Sequence, residues 1–262
     1  NDVYKLTKLV MRRIPAGTFK MGYADSADVR KVDPNIAQRD VTLTKPYYVG
    51  VFPVTRKQLR LVTGSASQDK LKYPTVSDTF DQIRGVYTTA GGPYDWPTDR
   101  TVDPDSFIGK LRMRTGAALD LPTEAQWEKA ARAGSSGVYY DGCEQTHAYE
   151  RNNIAWNTSN ANNDVHPVGE LKPNNYGLYD TLGNCWEWVL DWMAGAVDVE
   201  PTDPEGPTAA GADYWKGTVP KRMLRGASYA CDYMRVTLHE RTQNPVNEGG
   251  SDYSWRLAMP AE

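Results

Sequence analysis

The sequence predicts an α+β domain built largely from ordered loops, and three observations carry that reading. Short runs with β character stand near both ends of the chain, among them the alternating Asp40-Val41-Thr42-Leu43-Thr44. Capping-box signatures announce short helices between them. The 262 residues include 22 Gly and 17 Pro, with 16 Tyr and 8 Trp against 4 Phe, which describes a chain that turns often and packs amphipathic rings.

Taken in order, Val10 to Gly22 reads as two strands broken by Pro15-Ala16-Gly17, the pattern of a hairpin. Residues 40–44 alternate with period two, and Tyr47-Tyr48-Val49-Gly50-Val51 follows Pro46 as an aromatic, β-favouring run. At Thr55-Arg56-Lys57-Gln58 a hydroxyl stands three residues before an amide, so a short helix starts there and ends at Gly64. Residues 65–101 read as an extended insertion of loops. A helix beginning at Asp103-Pro104 carries Phe107, Ile108 and Leu111 on one side. The capping grammar returns at Thr123 and Gln126, and that helix runs to Gly134 with Trp127, Ala130 and Ala131 on one face. From 135 to 220 no periodic run exceeds about eight residues, so irregular backbone is expected. Strands return at Met223-Leu224-Arg225, at 234–238 and at 253–258.

A chain of this length should bury roughly 70–75% of its unfolded surface. No linker, repeat or low-complexity tract divides it, so residues 1–262 are expected to form one domain. The 30 Lys and Arg against 33 Asp and Glu give a net charge of −3, and no basic excess calls for a nucleic-acid partner. No run approaches the ~18 apolar residues of a membrane span, and residues 1–20 lack the apolar core of a secretory signal. Cys143, Cys185 and Cys231 are an odd set without CxxC spacing, which supports neither a zinc knuckle nor a dense disulfide framework. His147, His166 and His239 stand far apart, and HExxH, GxSxG, P-loop and GxGxxG patterns are absent.

Five segments in fixed order resemble one family. They are Ile14-Pro15-Ala16-Gly17-Thr18-Phe19-Lys20-Met21-Gly22; Tyr48-Val49-Gly50-Val51-Phe52-Pro53-Val54-Thr55; Leu121-Pro122-Thr123-Glu124-Ala125-Gln126-Trp127-Glu128; Tyr176-Gly177-Leu178-Tyr179-Asp180-Thr181-Leu182-Gly183-Asn184-Cys185-Trp186-Glu187-Trp188; and Arg225-Gly226-Ala227-Ser228-Tyr229. The chain resembles the formylglycine-generating enzyme (sulfatase-modifying factor) family. That resemblance implies a C-type-lectin-like fold with little regular secondary structure; function has to be argued from the site.

The family's oxidase holds copper(I) between two cysteines five residues apart, since thiolates suit that soft ion. Here Cys231 matches the first position and Val236 the second, so no copper is expected and no catalytic residue is assigned. The alternative keeps the chain an oxidase of the family, or a related oxidoreductase, working through Cys231. The resemblance also implies a structural calcium site made by the side chains of Asp180 and Glu187 and the carbonyls of Gly183 and Cys185, all oxygen donors suited to a hard cation. The other reading is that both carboxylates only hydrogen-bond to loops while Trp186 and Trp188 pack the core.

Within the fold, the C-terminal part, residues 222–260, resembles the variable region of the spirochaete type of variable protein encoded by diversity-generating retroelements. Adenine-directed mutagenesis converts AAY codons to NNY, which never encodes Trp, Gln, Glu, Lys or Met. Tyr229, Ala230, Cys231, Asp232, Tyr233, Leu238, His239, Ser251, Asp252, Tyr253 and Ser254 are all permitted outcomes, while Met234, Glu240, Gln243, Glu248 and Trp255 belong to the framework. Rings beside short polar groups also make an adaptable recognition surface on chemical grounds. These eleven residues are the expected binding site for a protein or carbohydrate ligand. The resemblance further implies display at the cell surface, as a lipoprotein whose leader lies outside this sequence.

Overall fold

The structure is a computed structural model and describes residues 1–23, 37–65, 69–86, 96–97, 99–140, 152–193, 200–207 and 219–261. After the short helix α1 (Val3–Leu6), the chain forms strands β1 (Met11–Ile14), β2 (Gly17–Met21), β3 (Arg39–Leu43) and β4 (Tyr47–Gly50). Helices α2 (Arg56–Thr63), α3 (Phe80–Arg84), α4 (Phe107–Thr115) and α5 (Glu124–Arg132) follow, then strands β5 (Trp186–Trp192), β6 (Lys221–Arg225), β7 (Arg241–Pro245), β8 (Tyr253–Ser254) and β9 (Ala258–Pro260). Few helices, small sheets and long connections make this the expected loop-rich α+β architecture.

The strands form three sheets, ordered β1-β4-β9, β2-β3 and β7-β6-β5-β8. The hairpin expected at residues 10–22 is therefore not made. β1 pairs with β4 and β2 with β3, because Gly17, at φ +124°, sends the chain from one sheet into another. In the four-stranded sheet β5 runs antiparallel to β6 and parallel to the two-residue β8.

The capping grammar sets the helices as the sequence implies. Thr55 and Thr123 each accept from the amide three residues on, and Gln58 and Gln126 return the bond. The same device at Thr79 and Gln82 starts α3 inside a stretch expected to be loops only. α4 begins at Phe107 behind the Ser106 cap, not at Asp103, and α5 is stopped by Ala133 in the left-handed region rather than by Gly134.

Two further expectations are corrected. Residues 135–220 contain β5, all seven residues of which are buried. Its Trp-Glu-Trp-Val-Leu-Asp-Trp sequence hides a core strand because Glu187 and Asp191 are neutralised inside the protein, a fact that no window of sequence reveals. Residues 234–238 are turns instead of a strand: Asp232 Oδ1 accepts from Met234 N at 2.8 Å, and Leu238 N reaches across to Val138 O at 2.9 Å.

α5 sits between two apolar clusters. Trp127 and Ala131 join the larger one, with Trp188, Trp192, Leu224 and Trp255; Ala125 and Ala130 join the smaller one, with Ile14, Val41 and Val49. Charged groups are packed between these layers as buried ion pairs. Arg225 on β6 reaches Glu124 at 3.0 Å and also bonds Glu128, both on α5, while Arg132 bonds Glu128 at 2.7 Å. The Arg225 and Arg132 charges hold Glu128 below the usual carboxylate range despite the opposing effect of its burial. Arg256 reaches both oxygens of Glu187 at 2.5 Å and donates to the carbonyls of Gly50, Tyr179 and Asp180. One guanidinium thus ties two separate segments to β5.

Removing one partner of such a pair leaves a buried charge uncompensated. Glu187→Ala should lower the unfolding free energy by about 3–5 kcal/mol, read by chemical denaturation. A second test follows from Asp191, whose Oδ2 accepts Glu124 N at 2.6 Å. Burial, then the neighbouring Glu124 charge, push its carboxyl up from 3.8 to about 7. The folded state keeps a proton there that the unfolded chain has released, so this contribution to stability is lost as pH rises from about 4 to about 7. Asp191→Asn should flatten that decline, by about 3–4 kcal/mol across the window. Denaturation curves for both proteins at several pH values check it.

Candidate functional site

The start of β5 gathers the C-terminal loops. Trp186 stands opposite Tyr253 in the parallel β5–β8 pair, and its N–H donates to Asp252 O at 2.8 Å. Tyr229 N donates to Asn184 O at 3.0 Å, and Thr158 N to Cys231 O at 3.1 Å. Residues 228–233 and 251–253 are therefore held side by side. Buried Ser228 bridges them: its Oγ donates to Asp252 Oδ2 at 2.5 Å, accepts from Ala230 N at 3.3 Å, and lies 3.6 Å from Cys231 Sγ.

Seven of the eleven expected ligand residues reach the surface of this site. Ala230, Asp232 and Ser251 are exposed, and Tyr229, Tyr233, Asp252 and Tyr253 are half-buried. Burial raises the Tyr253 hydroxyl above its ordinary pKa, and the nearby Asp252, Cys231 and Glu248 add to the effect. Arg235 lies 5.9 Å from the Trp186 ring and pairs with Glu240 at 2.8 Å.

The other four belong to the interior, which corrects the expectation. Leu238 and Cys231 join the larger apolar cluster, at 0% and 7% exposure. His239 stacks on Tyr23 with ring centroids 4.6 Å apart, and Ser254 pairs with Glu187 inside the sheet. Codon rules say which residue types are allowed, but not which way they face. Ser228 was missed as a site residue, although it stands in the Arg-Gly-Ala-Ser-Tyr segment. Its role depends on Asp252, 24 positions away, and no local pattern encodes that contact.

Thiol chemistry is confined. Val236 is buried at 1% exposure, so an aliphatic side chain fills the second cysteine position. Burial, reinforced by the charge of Asp252, pushes the Cys185 thiol well above its ordinary pKa. His166 stacks on Trp156 at 3.6 Å, a packing role. Cys143 and His147 lie outside the described residues.

Of the expected calcium donors, Glu187 is held in an ion pair and Asp180 and Gly183 accept backbone N–H groups. Glu187 gives both oxygens to Arg256, and Oε2 also accepts the Trp127 indole N–H at 2.6 Å. Asp180 turns its Oδ2 to Gly169 N at 2.7 Å, and the Gly183 carbonyl accepts Cys185 N at 2.8 Å. Asp180, Gly183, Cys185 and Glu187 as they stand do not fit a common cation, which would have to compete with a guanidinium for Glu187. Among the described residues no group of three or more His, Cys, Asp or Glu is placed to share an ion. The thermal midpoint should accordingly be insensitive to a calcium chelator. A midpoint several degrees lower after chelation would show that a bound cation contributes to the folded state.

The sulfatase-modifying factor enzyme 1-like domain family matches residues 5–261. The formylglycine-generating enzyme of Mus musculus is 34% identical over 299 aligned residues, covering 97% of this chain and 75% of that protein. The inactive C-alpha-formylglycine-generating enzyme 2 of Bos taurus is 32% identical, covering 71% and 72%. The match to the formylglycine-generating enzyme of Streptomyces coelicolor is 36% identical over 160 residues and spans about half of that relative, 48%. Among solved structures, Treponema denticola variable protein 1 is similar at a TM-score of 0.70 and 25% identity, covering 97% of this chain and 95% of that one. Fold, ordered motifs and a family match over nearly the whole chain agree: the protein belongs to the sulfatase-modifying factor enzyme 1-like family.

Proposed function

We propose that this chain is a non-catalytic binding protein that uses a lectin-like scaffold to present a variable C-terminal surface. The observation carrying this reading is that a buried Val236, not a second thiol, stands five residues after Cys231. A single thiol with an aliphatic side chain at the second position cannot hold copper(I) in two-coordinate thiolate geometry. Around it, Tyr229, Ala230, Asp232, Tyr233, Ser251, Asp252 and Tyr253 offer flat rings and short polar groups to solvent, the composition of an adaptable contact surface.

Support also comes from the likeness to a variable protein over nearly the full length of both chains. On this reading the ligand is a protein or a carbohydrate, and the protein is displayed at the cell surface. No helix among the described residues is long and apolar enough to cross a membrane.

The second reading is a family oxidoreductase working through Cys231, favoured by the identity of 28–36% to relatives named as formylglycine-generating enzymes. Copper(I) titration separates the two. A binding protein should take up no stoichiometric copper; one equivalent bound by the native chain and lost in Cys231→Ser would establish the enzyme.

The surface role makes its own prediction. Asp232→Ala and Tyr233→Ala should leave the thermal midpoint within about 2 °C of the native value, corresponding to changes of about 0.5 kcal/mol. A large loss of stability in both would place these residues in the structure rather than on the recognition surface. Sequencing the 3′ end of the gene across isolates should find differences concentrated at adenine-matched codons such as those of residues 229–233.

A further inference from the structure

The described residues enclose a groove of about 610 Å3 that shares none of the C-terminal loop residues. Leu190, which lines it, stands four positions along β5 from Trp186. Buried Trp96, Leu121 and Leu190 underlie it, while half-buried Met259 and exposed Ala118 and Pro260 form its rim. That volume is within the ~300–1,000 Å3 range of small-molecule sites.

Its charges are unevenly matched. Asp120 accepts from both Arg84, at 3.1 Å, and Arg112, also at 3.1 Å. Arg112 gives its Nε to Leu119 O at 2.6 Å and one Nη to Asp120. Its other Nη has no acceptor among the described residues. Burial, opposed by Asp120 and reinforced by Arg84, holds this guanidinium below its usual range. Exposed Lys45 lines the same groove, again without an acceptor among the described residues. The remaining acids are engaged: Asp203 accepts from Thr44 through both oxygens, and Glu205 pairs with Arg100.

We propose that this groove binds a small organic acid, its carboxylate held by the free edge of Arg112 in the field of Lys45, its apolar body over Leu121, Leu190 and Trp96. A monoanion suits the site better than a phosphate dianion, because Asp120 stands beside the anchoring guanidinium and repels a second negative charge. The apolar floor requires a body that gains from leaving water, such as a phenyl ring on a short chain.

Calorimetric titration of the full chain with 3-phenylpropanoate and with its neutral amide tests the assignment. The acid should bind at least about tenfold more tightly than the amide, as expected for a charge-assisted bond to Arg112. Arg112→Gln should erase that preference. Because Arg112 also supports Leu119 and Asp120, two rim variants guard against a folding defect. Ala118→Trp should block binding without moving the thermal midpoint, and Lys45→Gln should weaken it severalfold. Asp232→Ala, at the other site, should bind the acid as the native chain does. Equal binding of acid and amide, binding untouched by Ala118→Trp, or no binding of the acid would each overturn the proposal.

Discussion

The fold depends on guanidinium groups placed where water is absent. Arg225 and Arg256 are each 1% exposed, and each is surrounded by carboxylates and carbonyls from distant parts of the chain. A loop-rich domain has few ladders to satisfy its backbone, so an interior cation with five N–H donors serves as the junction. Arg256 joins Gly50, Tyr179, Asp180 and Glu187, bringing the β4 exit, the 176–183 loop and β5 to one point. Arg225 does the same for β6 and α5. Such pairs add little net stability over an apolar equivalent, but losing one member is costly. What they secure is a single arrangement of loops.

On the proposed reading, that rigidity is what would let the C-terminal surface vary. The loops carrying Tyr229 to Tyr233 and Ser251 to Tyr253 are anchored by backbone bonds to Asn184, Trp186 and Thr158, and by the buried Ser228–Asp252 contact. Side chains such as Ala230 and Ser251 are exposed on that frame. Their replacement alters the surface chemistry without disturbing the core. Leu238, His239 and Ser254 have no such freedom, because they are part of the core itself.

The groove above Leu121 and Leu190 has a different character. In the core, Arg225 and Arg256 are answered by nearby carboxylates, whereas at the groove Arg112 shares Asp120 with Arg84 and keeps one edge open. The same scaffold therefore presents two unlike faces. One carries rings and short polar groups on loops; the other is a preformed concavity with a cationic wall.

Local interactions account for what the sequence alone determined. Thr55 and Thr123 cap helices because a hydroxyl and an amide three residues apart need only each other, and the alternating run yields the strand Arg39–Leu43 because alternation needs only one buried face. The ordered motifs sufficed to indicate the family's scaffold. Tertiary structure decided everything that rests on distant partners. β1 and β2 part company because their neighbours are β4 and β3, Glu187 and Asp191 enter the core because Arg256 and the start of α5 receive them, and Cys231 and His239 face inward. A charge in a strand or a cysteine in a loop carries no mark of its burial; its environment is set by residues tens of positions away, and only the folded chain brings them together.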